Sequence, residues 1–373
     1  MTISSSSSSS PRPTRIRVGR SRRGMGIPFL LLFAGLLLSL GAPPAAARTL
    51  KIATLMPEGS SFVSQMREAG REIERRTSGR VKLKFYPGGV MGGDKTVMRK
   101  MRIGQIQGAA LTSGPLASVY PDIEIYSLPL FFRNHAEVDH VRERMDPELA
   151  TGLARVGFTA LAITDGGFAY LFSKNAIRRV EDLPKARIWI PEDDVMSQTA
   201  LEIAGVSPIP LPTADVYTAL QTGLIDTVAA PPMGAIAFQW HTKVRTMTNV
   251  PLMYLIGVFV VDRKTFDRLR PEDRSIMREE IANAAHRLDL ETREGETRAI
   301  RALANQGIEI LSPPSEEELE RWHDISREAI RRLRESNRYS KERIDEMVGL
   351  VEEMRAARPA APTRTDPPGP EAK

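Results

Sequence analysis

The sequence predicts an α/β protein of two lobes, joined by crossing strands and braced by one long helix. Residues 182–232 read in turn as strand, helix, strand, helix and strand, and residues 50–153 alternate in the same way. Residues 159–173 and 254–261 are apolar runs placed to carry the chain from one lobe to the other and back. Such alternation predicts two mainly parallel sheets covered on both faces.

Each element has a local reason. Residues 50–55 form an apolar strand; Phe62, Met66, Ala69 and Ile73 then recur at helical spacing until Gly79. Residues 81–85 return as a strand, followed by a glycine-rich turn, a helix led by Asp94, a strand at 108–111 and a helix at 135–153. Further on, residues 186–190 are a short strand stopped by Pro191, and Glu192, Asp193 and Asp194 favour a helix start. Val195, Thr199 and Ala200 give that helix an apolar side and Gly205 closes it. Residues 206–211 are the next strand. Thr213 or Asp215 caps a helix that Gly223 ends before a strand at 224–226. Residues 271–305 read as one helix, about 50 Å long at about 1.5 Å per residue. Ser315 followed by Glu316, Glu317 and Glu318 starts another, whose dense Arg and Glu content suits a solvated face. The expected division is residues 48–165 with 256–300 in lobe I, and 166–255 with 301–338 in lobe II and its C-terminal helices.

Both ends read differently from the middle. Six arginines between residues 12 and 23, without one acidic residue, precede the apolar run 27–40 and the small residues Ala45-Ala46-Ala47. Residues 1–47 are expected to be a secretory signal cut near Ala47, the alternative being an uncleaved anchor. The pair Arg22-Arg23 hints at twin-arginine export, but Gly24-Met25-Gly26 fits that motif poorly. Residues 356–373, rich in Pro and Ala, are expected to be a disordered tail.

The six leader arginines carry the whole formal charge of +6, leaving 46 basic and 46 acidic residues beyond them. That balance offers no basic face for nucleic acid. No cysteine is present, which excludes disulfides, thiolate metal sites, cysteine nucleophiles and a lipid-anchoring cysteine. His135, His140, His241, His286 and His323 stand in no metal-binding pattern. No nucleophile elbow, phosphate loop or dinucleotide fingerprint occurs, and the glycines from Gly88 to Gly93 lack a phosphate-loop lysine. No catalytic residue, metal or cofactor is expected.

Several ordered motifs carry a resemblance. The pattern DLxxxRIxxP at residues 182–191 is followed by GxSPxPLPxxDVYTALQTGLID at 205–226. Phe85-Tyr86-Pro87-Gly88-Gly89, Leu128-Pro129-Leu130-Phe131-Phe132 and Leu269-Arg270-Pro271-Glu272-Asp273 accompany them. Together, over residues 50–334, the chain resembles the extracytoplasmic solute receptors of TRAP transporters, the DctP type. The resemblance implies a periplasmic-binding-protein-like clamshell, a periplasmic location, a small organic ligand and integral membrane subunits as partners.

Receptors of that type hold a carboxylate with arginine, whose planar fork matches it in shape and charge. Matching the motifs puts Trp189 at the usual arginine, Ala169 at a second arginine and Ala230 at a usual asparagine. An enclosed carboxylate without a cation costs several kcal/mol. The expectation is therefore a neutral or hydrophobic ligand. Phe168, Tyr170, Trp189 and Met233 would line its pocket, with Tyr217, Thr112 and Ser113 supplying hydrogen bonds. Alternatives are a carboxylate receptor whose clamp is a displaced arginine, Arg187 or Arg245, and a periplasmic lipid carrier without a transporter. An exported enzyme suffers from the want of a nucleophile–base pair.

Overall fold

The structure, a computed structural model, describes residues 47–311 and 315–357. The expected secretory signal lies outside them except for Ala47, and so does the expected tail beyond Ala357.

β1 (Arg48–Thr54) is followed by α1 (Ser61–Arg76), which Ser60 caps by accepting from the Val63 N–H. Val63, Met66, Ala69 and Ile73 are its buried stripe, and they cover β1 and β2 (Val81–Tyr86). α2 (Asp94–Arg102) leads to β3 (Gly108–Thr112), the short α3 (Ser113–Ala117) and a 3₁₀ turn at Pro121–Ser127. Asn134 caps α4 (His135–Arg155). The chain then enters β4 (Phe158–Ser173), whose residues are mostly buried.

The next segment is more broken than its sequence suggests. β5 (Trp189–Pro191) and β6 (Ile209–Leu211) have three residues each, pair in parallel and form a sheet of their own. Pro208, Pro210 and Pro212 lack the N–H groups that a longer ladder needs, so the expected strand at 206–211 shrinks to its second half. Between these strands lies α5 (Val195–Ile203), capped by Asp194. α6 (Val216–Thr222) ends at Gly223 with φ +78°, and β7 (Thr227–Ala230) begins one residue beyond the strand expected at 224–226.

α7 (Pro232–Ala237) precedes β8 (Thr246–Asp262), eight residues longer at its start than expected. Pro251 hid that extension, and it sits inside a register break opposite β4. α8 (Arg263–Asp267) and α9 (Pro271–Asn305) follow, the latter with the expected bounds. β9 (Glu309–Leu311), α10 (Glu316–Glu335) and α11 (Lys341–Ala357) complete the chain. α11 was not anticipated, and it takes in Ala356 and Ala357 from the expected tail.

The main sheet has seven strands, ordered β2-β1-β3-β8-β4-β7 with β9 beside β8. β1 pairs in parallel with β2 and β3, and β8 with β9; the β3–β8, β8–β4 and β4–β7 pairs are antiparallel. The sheet is therefore mixed, and the expectation of mainly parallel sheets is corrected. Helical crossovers set the parallel pairs locally, but the two longest strands pass the centre in opposite directions. Their ladder shifts register at Ala160/Ala162, Asp165/Gly167 and Ala169/Leu171. At the middle break Gly167 takes φ +83°, and a Cβ at Gly166 would lie 2.7 Å from the Leu255 carbonyl oxygen. Only glycine suits such a crossing. α9 packs along β4 and against α1 and α7.

Candidate ligand-binding cleft

A cavity of about 1520 Å³ opens beside the register breaks of β4 and β8. Strand alternation decides which β4 side chains reach it. Ala169 and Leu171 line the cavity, whereas Phe168 and Tyr170 point to the opposite face. Phe168 packs edge-on against His135 and Tyr254, with ring centroids at 5.0 Å and 5.4 Å. Tyr170 donates its hydroxyl to Glu296 at 2.8 Å. Trp189, Ala230 and Met233 line the cavity, as do Thr112 and Ser113. Tyr217 lies elsewhere, its ring 5.0 Å from the Lys243 ammonium. Trp189 is buried, donates to the Leu211 carbonyl at 3.0 Å and meets Trp240 edge-on at 5.3 Å. Its indole is thus both a wall and a packed side chain.

Neither displaced arginine reaches this space. Arg187 precedes β5, is 56% exposed and pairs with Asp226 at 3.1 Å. With Arg245, Lys174 and Lys243 it borders a separate depression of about 560 Å³. The cationic side chains that do line the cavity are Lys95, Arg99, Arg102 and Arg338. Arg99 and Arg102 are exposed on α2. Lys95, also on α2, reaches across to Asp193 at 2.9 Å and Glu192 at 3.6 Å. Arg338 is half-buried, and its Nε has no hydrogen-bond partner.

The acidic side is more enclosed. Glu124 is 3% exposed and accepts from the Tyr339 hydroxyl at 3.0 Å. Burial first, then the charge of Asp194, pushes its carboxyl up to about 8, against the opposing pull of Tyr339 and Arg338. Asp194 accepts from the Ser197 N–H at 2.9 Å, and burial raises it too. Burial alone raises Asp94, at the start of α2, to about 6.

Beneath the crossing strands lies a charged network. Burial would raise the Asp165 carboxyl, but His135 and Arg293 overcome that and hold it low. Arg293 donates to it at 2.8 Å. His135 Nε2 lies 3.1 Å from Glu296, while Nδ1 stands 3.5 Å from Asp165 without hydrogen-bond geometry. The carboxylate of Asp165, then that of Glu296, raises His135 to about 9.

Among the described residues no cluster of His, Asp and Glu is arranged to hold a metal ion. No described helix is long and apolar enough to cross a membrane.

Residues 52–337 match the family described as bacterial extracellular solute-binding protein, family 7, the DctP family. The chain belongs to that family. It is therefore an extracellular solute-binding protein by family rather than an enzyme.

The chain is 28% identical over 213 residues to the uncharacterized protein YiiZ of Salmonella typhimurium, covering 56% of this chain and 64% of that one. Its fold is similar to the sugar-acid-binding protein DctPAm of Advenella mimigardefordensis, solved with galactonate. There the TM-score is 0.77 at 19% identity, over 82% of this chain and 98% of the other. A TRAP periplasmic solute-binding protein of Desulfovibrio salexigens, solved with orotic acid, matches with TM-score 0.74 at 17% identity, over 83% and 98%.

Galactonate and orotate are both carboxylates. They overturn the expectation of a neutral or hydrophobic ligand, which read three changed positions and left the rest of the wall out. Four cationic side chains from other elements border the same space. Sequence reasoning missed Glu124, Asp194 and Arg338. An acid between Ile123 and Ile125 was a readable signal of a buried charge; nothing in the sequence marked Arg338.

Proposed function

We propose that this protein is an extracytoplasmic receptor that captures a small organic acid and delivers it to the membrane subunits of a TRAP transporter. Residues 48–165 with 256–300 form one lobe, and 166–255 with 301–338 the other, closing about the β4–β8 crossing. The single observation that carries the ligand class is a cavity bordered by Lys95, Arg99, Arg102 and Arg338 in a DctP-family chain. The relatives solved with galactonate and orotate support the same class. Arginine is absent at Trp189 and Ala169, so this receptor is a variant whose cation comes from elsewhere in the wall.

The volume of about 1520 Å³ exceeds what a small acid fills, which suits an open form that closes on its ligand. A thermal-shift screen of organic acids tests the reading. A cognate acid at one hundred times its Kd should stabilise the protein by about 2.7 kcal/mol. Melting that no organic acid raises would refute it.

A further inference from the structure

The family match ends at residue 337, and the chain continues through Arg338, Tyr339 and α11. That continuation turns back onto the cavity. Asn337 takes φ +54° after α10, and the Ser340 N–H donates to Asp122 at 2.8 Å. Tyr339 is thereby set against Glu124, and Arg338 lies over the Tyr339 ring with its guanidinium carbon 5.7 Å from the centroid.

We propose that Arg338, with Glu124 beside it, is the polar anchor of the ligand: Arg338 takes the carboxylate and Glu124 accepts a hydroxyl from the adjacent carbons.

This inference rests on the organic-acid reading and names its anchor. Arg338 is suited to the task because its charge is not already spent. Among the described residues no carboxylate lies within 4.0 Å of its guanidinium nitrogens, whereas Lys95 is engaged by Asp193 and Glu192; Arg99 and Arg102 are likewise unpaired but stand exposed on α2, while Arg338 is half-buried. A buried Nε–H without an acceptor is costly, and a bidentate carboxylate would satisfy it. The Tyr339 ring beneath holds the guanidinium plane, which reduces the freedom lost on binding.

Glu124 complements that donor. One of its oxygens takes the Tyr339 hydroxyl; the other, Oε1, lies 3.5 Å from where a Cβ on the cavity-lining Gly114 would stand. Asp194 borders the same wall, and its charge favours a neutral Glu124. A neutral Glu124 tolerates a carboxylate on Arg338 and still accepts a hydroxyl hydrogen. The ligand is accordingly a hydroxylated carboxylic acid, its hydroxyl acceptor Glu124 inside the span shared with the family and its carboxylate anchor Arg338 just beyond it.

Titration calorimetry on the full-length protein, Arg338→Gln and Arg338→Lys, with D-galactonate, orotate and hexanoate as probes, tests this directly. Wild type should bind a hydroxylated acid at least about tenfold more tightly than hexanoate, and Arg338→Gln should lose about tenfold or more of that affinity. Arg338→Lys keeps the charge without the fork and should fall between the two, with its melting temperature near that of wild type. Wild-type binding that Arg338→Gln preserves within twofold overturns the anchor while leaving the organic-acid reading intact. Wild type that binds none of a wider organic-acid panel overturns both.

Discussion

Trp189, Ala169 and Ala230 were singled out from the sequence, and the structure brings all three to one cavity. Phe168 and Tyr170 flank Ala169 yet face the opposite side of β4, as alternation along a strand requires. Composition around a motif is thus a poorer guide than strand parity. Glu124 was legible only as an acid in an apolar run, because its partner Tyr339 lies 215 residues away. Its energetics give a test. Burial and Asp194 raise the carboxyl from its ordinary value to about 8, with Asp193 adding to the effect and Tyr339 and Arg338 opposing it. A raised folded-state value contributes stability below the unfolded pKa that is lost as pH climbs towards 8. Glu124→Gln should therefore raise the melting temperature at pH 7.5 and leave it nearly unchanged at pH 4. An equal change at both pH values would mean that the carboxyl is not held neutral by its surroundings.

Helices were the most readable elements, since caps and apolar spacing are local. Asp194 and Ser315 cap as their positions imply, Asp215 precedes α6 without a side-chain cap bond, and α9 begins at Pro271 and ends at Asn305. Strand length was less readable, because the proline-rich ladder of β6 and the Pro251 break in β8 depend on partners far along the chain. Sheet direction was not readable at all from local order. Of the two elements that cross the centre, β4 is tied to α4 and α9 through Asp165, His135, Arg293 and Glu296. His135 is raised to about 9 by Asp165 first and Glu296 second, so its contribution is complete below about pH 6.5 and fades as pH rises through 9. His135→Gln should cost about 1–2 kcal/mol at pH 6 and little at pH 9.5, measured by denaturant unfolding. A pH-independent cost would assign His135 to packing alone.

At the scale of the molecule, a mixed sheet runs continuously through two strands broken in register, with a helix of 35 residues packed along β4. Gly166 and Gly167 stand at the middle register break where the strands cross, and Lys95 meets Asp193 and Glu192, all three lining the cavity. That arrangement suits closure over a bound solute. The clamshell was readable from ordered motifs spread over most of the chain. The ligand class was misjudged because three positions stood in for a wall that draws on α2, the 3₁₀ turn before α4 and the turn between α10 and α11. The most direct test compares an acid with its uncharged twin: calorimetric titration of the protein with D-galactonate and with D-galactonamide, extended to any acid that the thermal screen selects. Stoichiometric binding of the acid, with the amide at least about a hundredfold weaker, is the outcome this account predicts. Equal affinity for acid and amide would contradict it.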